Sequence, residues 1–295
     1  MPKKLVISLI EEKQDYQQYL AEDGRRAAKA AGFTPEVVYS EANAILQIRQ
    51  LFQYVHAPAA ERPAAIVVMT VSGKGGEKLA SAAVNAGIAW VLINRDGDYL
   101  PALRRDAPKV PSFAVSIDHA EIGRIQGRIL RSLLPGGGPV LYVKGPPEAA
   151  SAVARHAGIE EALRGSGIEL RVVYGDWSAE SATRAVEGWL RLKPGEVRAV
   201  VAQNDAMAVA ARAALLEAGA GPASIPVVGC DGLPNVGQRH VREGQMTATV
   251  VLPPPTTPAI DLVARSLRKG DMPPLVTRLA LTSIPAESQL AARGN

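Results

Sequence analysis

A single cysteine, Cys230, in 295 residues excludes a disulfide framework and any cluster of thiolate metal ligands. It lies inside an apolar run and reads as a small buried hydrophobe. The four histidines, His56, His119, His156 and His240, share no metal-ligand spacing, and no nucleophile, base and orienting group can be composed from sequence neighbours. Neither a metal, nor a cofactor, nor catalysis is therefore expected. No apolar run approaches the roughly 20 residues that span a bilayer, so no membrane insertion is expected. Met1-Pro2-Lys3-Lys4 runs directly into Leu5-Val6-Ile7-Ser8-Leu9-Ile10 with no extended apolar stretch or small-residue cleavage site, so no secretory leader is read there. As written, the chain is expected to stay in the cytosol unless a leader precedes Met1. The formal charge of +4 comes from scattered Lys and Arg, with no basic arm dense enough for nucleic acid. Aromatic residues amount to only 4%, which makes the position of each more telling.

What the chain does have is hydrophobic content, 47%, enough for two cores of ordinary size. Three apolar runs each end in polar residues: Val91-Leu92-Ile93 before Asn94-Arg95, Ala199-Val200-Val201-Ala202 before Gln203-Asn204-Asp205, and Pro226-Val227-Val228-Gly229-Cys230 before Asp231. Such runs, alternating with amphipathic helices, read as strands of parallel sheets, whose ligands gather at the carboxyl ends of the strands. The first series alternates strands at about 5–10, 36–39, 64–69 and 88–93 with helices at about 16–31, 42–54 and 76–86. After a strand at 113–117 the pattern restarts: helix 120–133, strand 139–144, strand 170–174, helix 179–192, strand 199–202, helix 206–218, strand 225–230, strand 247–252 and, past Pro253-Pro254-Pro255, a helix at 259–269. The fold class is α/β, with two three-layer units in series.

Several local signals read as architecture. Ser72-Gly73-Lys74-Gly75-Gly76 lacks the spacing of a phosphate loop and reads as a strand-to-helix loop where Thr70 and Ser72 could touch a ligand. Gly136-Gly137-Gly138 reads as a turn, Asp118 as a helix cap, and Asp205 as a cap or dipole partner at a helix start.

The order of elements, with Gly145 followed by Arg155-His156-Ala157-Gly158-Ile159, then Gln203-Asn204-Asp205-Ala206-Met207-Ala208, then Val227-Val228-Gly229-Cys230-Asp231-Gly232, resembles the type I periplasmic binding proteins of the ribose- and galactose-binding class, and with them the effector domains of lactose-repressor-family regulators. The resemblance covers essentially the whole chain. It implies two Rossmann-like lobes joined by three hinge crossings, with 1–117 plus 253–279 in the N-terminal lobe and 118–252 plus 280–295 in the C-terminal lobe. It also implies a non-catalytic protein that clamps a monosaccharide, polyol or similar small molecule between the lobes. Its partner would be an ABC-type permease or a sensor, and its compartment the periplasm. The other reading is the effector part of a repressor without its DNA-binding module; the first core strand starts at Leu5, which leaves no room here for a helix-turn-helix, so no nucleic-acid contact is expected of this chain alone.

By the same resemblance Asn94 and Arg95 stand where the ribose class has an Asp-Arg pair, Arg155 matches an arginine that reaches the ligand ring, and Asn204 and Asp231 match an amide and a carboxylate from the C-terminal lobe. Trp177 falls where the family places a ring against the sugar, the other reading being a helix-start residue covering the lobe surface. Asp15, Tyr16 and Glu12 compete for a second position in the first loop, which reads Glu11-Glu12-Lys13-Gln14-Asp15-Tyr16 where the family has Asn-Pro-Phe-Phe. Leu252 replaces a glutamine at the last hinge and would border an apolar edge of the ligand.

Overall fold

The computed structural model describes residues 3–72, 75–192 and 195–291. Gly73 and Lys74 of the glycine-rich loop and Met1-Pro2 at the start lie outside the described residues. Contacts divide the chain into two compact units: unit 1 spans Met1–Ile117 and Pro253–Leu279, unit 2 spans Asp118–Leu252 and Ala280–Asn295.

Unit 1 is built from β1 (Lys4–Leu9), α1 (Asp15–Ala30), β2 (Thr34–Tyr39), α2 (Ala44–His56), β3 (Ala65–Val68), α3 (Gly76–Asn85), β4 (Ala89–Ile93), α4 (Leu100–Asp106) and β5 (Ser112–Ser116). Its strands pair in the order β2-β1-β3-β4-β5, all parallel. β1, β3, β4 and β5 are almost wholly buried because helices cover both faces, which is why they read as continuous apolar runs rather than alternating ones. The strand order reverses direction at β1 and β3, so the loops after them diverge and leave a crevice at their carboxyl ends.

The later segment of unit 1 forms α10 (Thr256–Lys269) and β11 (Val276–Arg278), the latter parallel to β5. The helix begins three residues before the sequence places it. Pro258 falls in its first turn, where a missing N–H costs nothing. That start is fixed by the buried carboxylate of Asp23 on α1, which accepts from Thr256 Oγ1 at 2.6 Å, Thr257 Oγ1 at 2.8 Å and Thr257 N at 3.0 Å.

Unit 2 repeats the plan with α5 (His119–Leu133), β6 (Gly138–Lys144), α6 (Ala150–Leu163), β7 (Ile168–Tyr174), α7 (Ala179–Leu190), β8 (Ala199–Ala202), α8 (Asp205–Glu217), β9 (Val227–Asp231), α9 (Gly237–Arg242) and β10 (Ala248–Val251), closed by β12 (Thr282–Ile284) and α11 (Glu287–Ala291). The order is β7-β6-β8-β9-β10-β12, parallel except that β12 runs antiparallel to β10. The reversal here lies at β6 and β8. Asp118 caps α5 by accepting from Glu121 N at 3.1 Å, as its position predicts. The Gly136-Gly137-Gly138 segment is the expected turn, with left-handed backbone at Gly137 and Gly138.

Helices α5 and α6 approach closely enough that a Cβ on Gly123 would lie 1.9 Å from the Arg155 carbonyl oxygen, and one on Gly158 would lie 1.9 Å from that of Ala120. Gly158 in the Arg155-to-Ile159 motif is therefore a packing residue. It brings α6, and Arg155 upon it, against α5.

Candidate functional site

In unit 2 Trp177, Asn204 and Asp231 stand at or just past the carboxyl ends of β7, β8 and β9, and Arg155 is carried on α6. Arg155 is buried in the second turn of α6, and its η1 nitrogen donates to the Gln203 carbonyl at the end of β8. Its guanidinium carbon lies 5.6 Å from the centroid of the Trp177 ring, within cation–π range. The Trp177 ring rests on Gly145, the first residue past β6: a Cβ there would fall 2.4 Å from the ring. Glycine at 145 is thus required by the indole.

Asn204 holds this arrangement from below. Its Oδ1 accepts from Met207 N at 2.9 Å and caps α8, while its Nδ2 donates to the Trp177 carbonyl at 2.8 Å. Those two bonds use one proton and one lone pair of the amide. Asp231 ends β9, half-buried, and its carbonyl accepts from Leu252 N at 3.0 Å. Leu252 itself is buried beside it.

The backbone carries a signal that side-chain chemistry does not. Among the described residues five non-glycine positions have left-handed backbone, and three of these are Asn94 (φ 70°), Trp177 (φ 77°) and Asp231 (φ 103°). Such torsions cost on the order of 1–3 kcal/mol each and persist where the surroundings over-determine them, which is typical of ligand clamps. Trp177 is not a helix-start residue: Ser178 is the cap of α7, accepting from Ser181 N at 3.1 Å, and Trp177 precedes it.

Asp205 departs from its expected role. The cap of α8 is Asn204, one residue earlier, and Asp205 turns inward. Its Oδ1 accepts from Thr249 Oγ1 at 2.6 Å and its Oδ2 from Gly232 N at 2.8 Å. Burial, and after it the charge of Asp231, hold its carboxyl well above the usual carboxylate range.

Gln203 was not singled out as a functional residue, although it opens the polar triplet after β8. Fully buried, its Oε1 accepts from Gly145 N at 2.9 Å and its Nε2 donates to the Ala152 carbonyl at 2.9 Å and to the Tyr142 hydroxyl. One amide thereby ties the end of β6 and the start of α6 to the end of β8. The available signal was a polar residue directly continuing an apolar strand.

In unit 1, Asn94 is buried at the end of β4 and Arg95 beside it is half-buried; burial lowers the Arg95 guanidinium from its usual value, with Tyr99 acting in the opposite sense. Of the three competitors in the first loop, Tyr16 is buried in the first turn of α1, whereas Asp15 and Glu12 are exposed. Gln17, one residue on, accepts from Ile10 N at 3.1 Å and anchors that loop to β1. Gln47 accepts from Val71 N at 3.0 Å and donates to the Met69 carbonyl at 3.0 Å, fixing the chain after β3 that leads to Thr70 and Ser72.

Cys230 is buried, and burial raises its thiol far above the ordinary value, consistent with the apolar role expected of it. His156 stacks on Tyr142 with ring centroids 5.7 Å apart. Burial first and Lys144 second lower its pKa, against the opposing pull of Glu160. A histidine held neutral in the fold contributes stability above its unfolded pKa of about 6.5 that is lost as pH falls below that value. His156→Phe, which keeps the stack, is therefore expected to flatten the decline in urea midpoint between about pH 7 and 5; an unchanged slope would assign that decline elsewhere.

The family model for the periplasmic binding protein domain matches residues 5–268. The chain belongs to this family. Within it, this periplasmic binding protein domain is 27% identical over 186 residues to the D-ribose/D-allose-binding protein of Pseudomonas aeruginosa, covering 63% of this chain and 56% of the relative. It is likewise 27% identical over 190 residues to the xylitol-binding protein of Mycolicibacterium smegmatis, covering 63% of this chain and 50% of the relative. The chain thus spans about half the length of the curated relatives it matches. Among solved structures, the periplasmic binding protein component of the arabinose ABC transporter from Shewanella sp. ANA-3, bound to L-arabinofuranose, superposes with a TM-score of 0.85 over 99% of this chain and 94% of its own at 22% identity, which fixes the fold alone.

Proposed function

We propose that the protein is a non-catalytic solute-binding protein that holds a monosaccharide or polyol and serves an ABC-type permease or a sensor. The observation that carries this reading is the group at the carboxyl ends of β6 to β9. There a buried arginine, an indole ring lying on glycine, an amide and a carboxylate are set on backbone that includes two left-handed residues, Trp177 and Asp231. A sugar presents hydroxyls that both donate and accept, together with an apolar C–H face, and it calls for this combination of charged acceptor, planar donor and aromatic surface. The relatives named for D-ribose, D-allose and xylitol support the same ligand class. The proposed ligand-binding residues are Asp15, Tyr16, Asn94 and Arg95 in unit 1 and Arg155, Trp177, Asn204 and Asp231 in unit 2.

Thermal unfolding against D-ribose, D-allose, xylitol, L-arabinose, D-galactose and myo-inositol tests the proposal. A ligand at about 100 times its dissociation constant is expected to add roughly 2.7 kcal/mol to the folded state. Arg155→Ala and Asp231→Ala are expected to abolish that response. A well-folded protein whose midpoint no sugar moves would refute monosaccharide binding.

A further inference from the structure

We propose that Asp205 is a positioning residue for Asp231: its buried carboxylate fixes the turn after β9 and so sets where the Asp231 carboxylate points. The inference rests on the reading of Asp231 as a ligand-binding residue and extends it to a residue that touches no ligand.

Four elements of unit 2 converge on Asp205. It is the first residue of α8, directly after the cap Asn204. Oδ1 takes the Thr249 hydroxyl of β10, the strand whose Thr249 and Val251 face Gly229 and Asp231 of β9 across the parallel ladder. Oδ2 takes the amide of Gly232, the residue that follows Asp231. The space for the carboxylate is kept by two glycines, since a Cβ on Gly229 would lie 2.2 Å from Oδ1 and one on Gly237, at the start of α9, 2.0 Å from Oδ2.

The turn it holds needs holding. Asp231 at φ 103° and Gly232 at φ 59° are consecutive residues of positive φ, a conformation that costs a non-glycine residue on the order of 1–3 kcal/mol. Its other anchors include the Leu252 N bond to the Asp231 carbonyl and the Gln238 Nε2 bond to the Gly232 carbonyl at 2.8 Å. Asp205 fixes the peptide N–H between Asp231 and Gly232. Burial drives the Asp205 acid toward its neutral form, so an uncharged amide of the same length is tolerated at this position. Asp205→Asn is accordingly expected to leave the thermal midpoint at pH 7 unchanged or higher. One amide oxygen still accepts from Gly232 N in that variant.

The test combines amide hydrogen exchange at Gly232, which needs no ligand, with titration of the same six sugars. Asp205→Ala is expected to speed Gly232 exchange about tenfold and weaken the best-binding sugar about tenfold, the loss of one buried hydrogen-bond acceptor, with Asp205→Asn restoring most of both. If Asp205→Ala does not fold, Thr249→Val decides, with about a threefold change expected in the same two readouts. Unchanged Gly232 exchange in the decisive variant overturns the inference. So does unchanged sugar affinity when Asp231→Ala abolishes binding. If no sugar binds the wild type, or Asp231→Ala binds normally, the reading of Asp231 fails by itself, and Gly232 exchange still determines whether Asp205 sets the backbone there.

Discussion

Gly158→Ala is expected to cost about 3 kcal/mol of stability, at the upper end of what an added methyl does in a packed core. The usual relief is absent. The added carbon would lie 1.9 Å from the Ala120 carbonyl oxygen, and the reciprocal substitution at Gly123 would meet the Arg155 carbonyl at 1.9 Å. Both obstacles are backbone, which cannot rotate aside as a side chain does, so α5 and α6 must separate along their length. That separation moves Arg155, whose own carbonyl is one of the two contacts, and with it the guanidinium above Trp177. The variant should therefore lose both denaturant midpoint and sugar response. Gly127→Ala provides the comparison: the nearest atom there is the Ala162 Cβ at 2.6 Å, with backbone no closer than 3.3 Å, so a smaller loss is expected. A Gly158→Ala protein within about 0.5 kcal/mol of wild type would mean the helices have room that the packing does not show.

The architecture was legible because every strand that matters is a short apolar run buried on both faces, and such runs stand out against amphipathic helices. Val91–Ile93, Ala199–Ala202 and Val227–Cys230 all fall within strands that end at the polar residues of interest. The elements missed are those with weak patterns. β11 and β12 are three residues each, α4 and α9 are seven and six, and α6 is rich in alanine and carries its arginine inward. The site was legible as chemistry but not as conformation. Nothing in the sequence gives a left-handed tryptophan; that torsion is set from elsewhere in the chain, by Asn204 Nδ2 on its carbonyl and by Gly145 beneath its ring. The inward bonds of Asp205 are hidden from the sequence for the same reason. A helix-start position accounts for an aspartate locally, and only the proximity of Thr249, 44 residues away, reveals the inward role.

Gln203→Leu is expected to be the most damaging single substitution at the site, although no ligand need touch residue 203. Leucine has nearly the volume of glutamine, so the cost is not a cavity. It is the simultaneous loss of partners for Gly145 N, the Tyr142 hydroxyl and the Ala152 carbonyl, all bonded to one buried amide. Each orphaned group costs roughly 1–3 kcal/mol. Because the three share one partner and relax together, the total is expected near 3–5 kcal/mol rather than their full sum. The Arg155 bond to residue 203 is to its backbone carbonyl, so it survives the change. Any loss of sugar binding must then come through Gly145, whose freed amide unseats the surface on which the indole lies. Gln203→Glu separates the two effects. A glutamate side chain can still accept from Gly145 N, but kept protonated by burial it has one O–H where the amide has two N–H, so only one of the Tyr142 and Ala152 contacts keeps its donor. The expected result is about half the stability loss with the Trp177 fluorescence response to sugar retained, whereas Gln203→Leu loses both. Equal stability losses in the two variants, as judged by urea denaturation, would show that the lost donor dominates and that Gly145 is held by its surroundings instead.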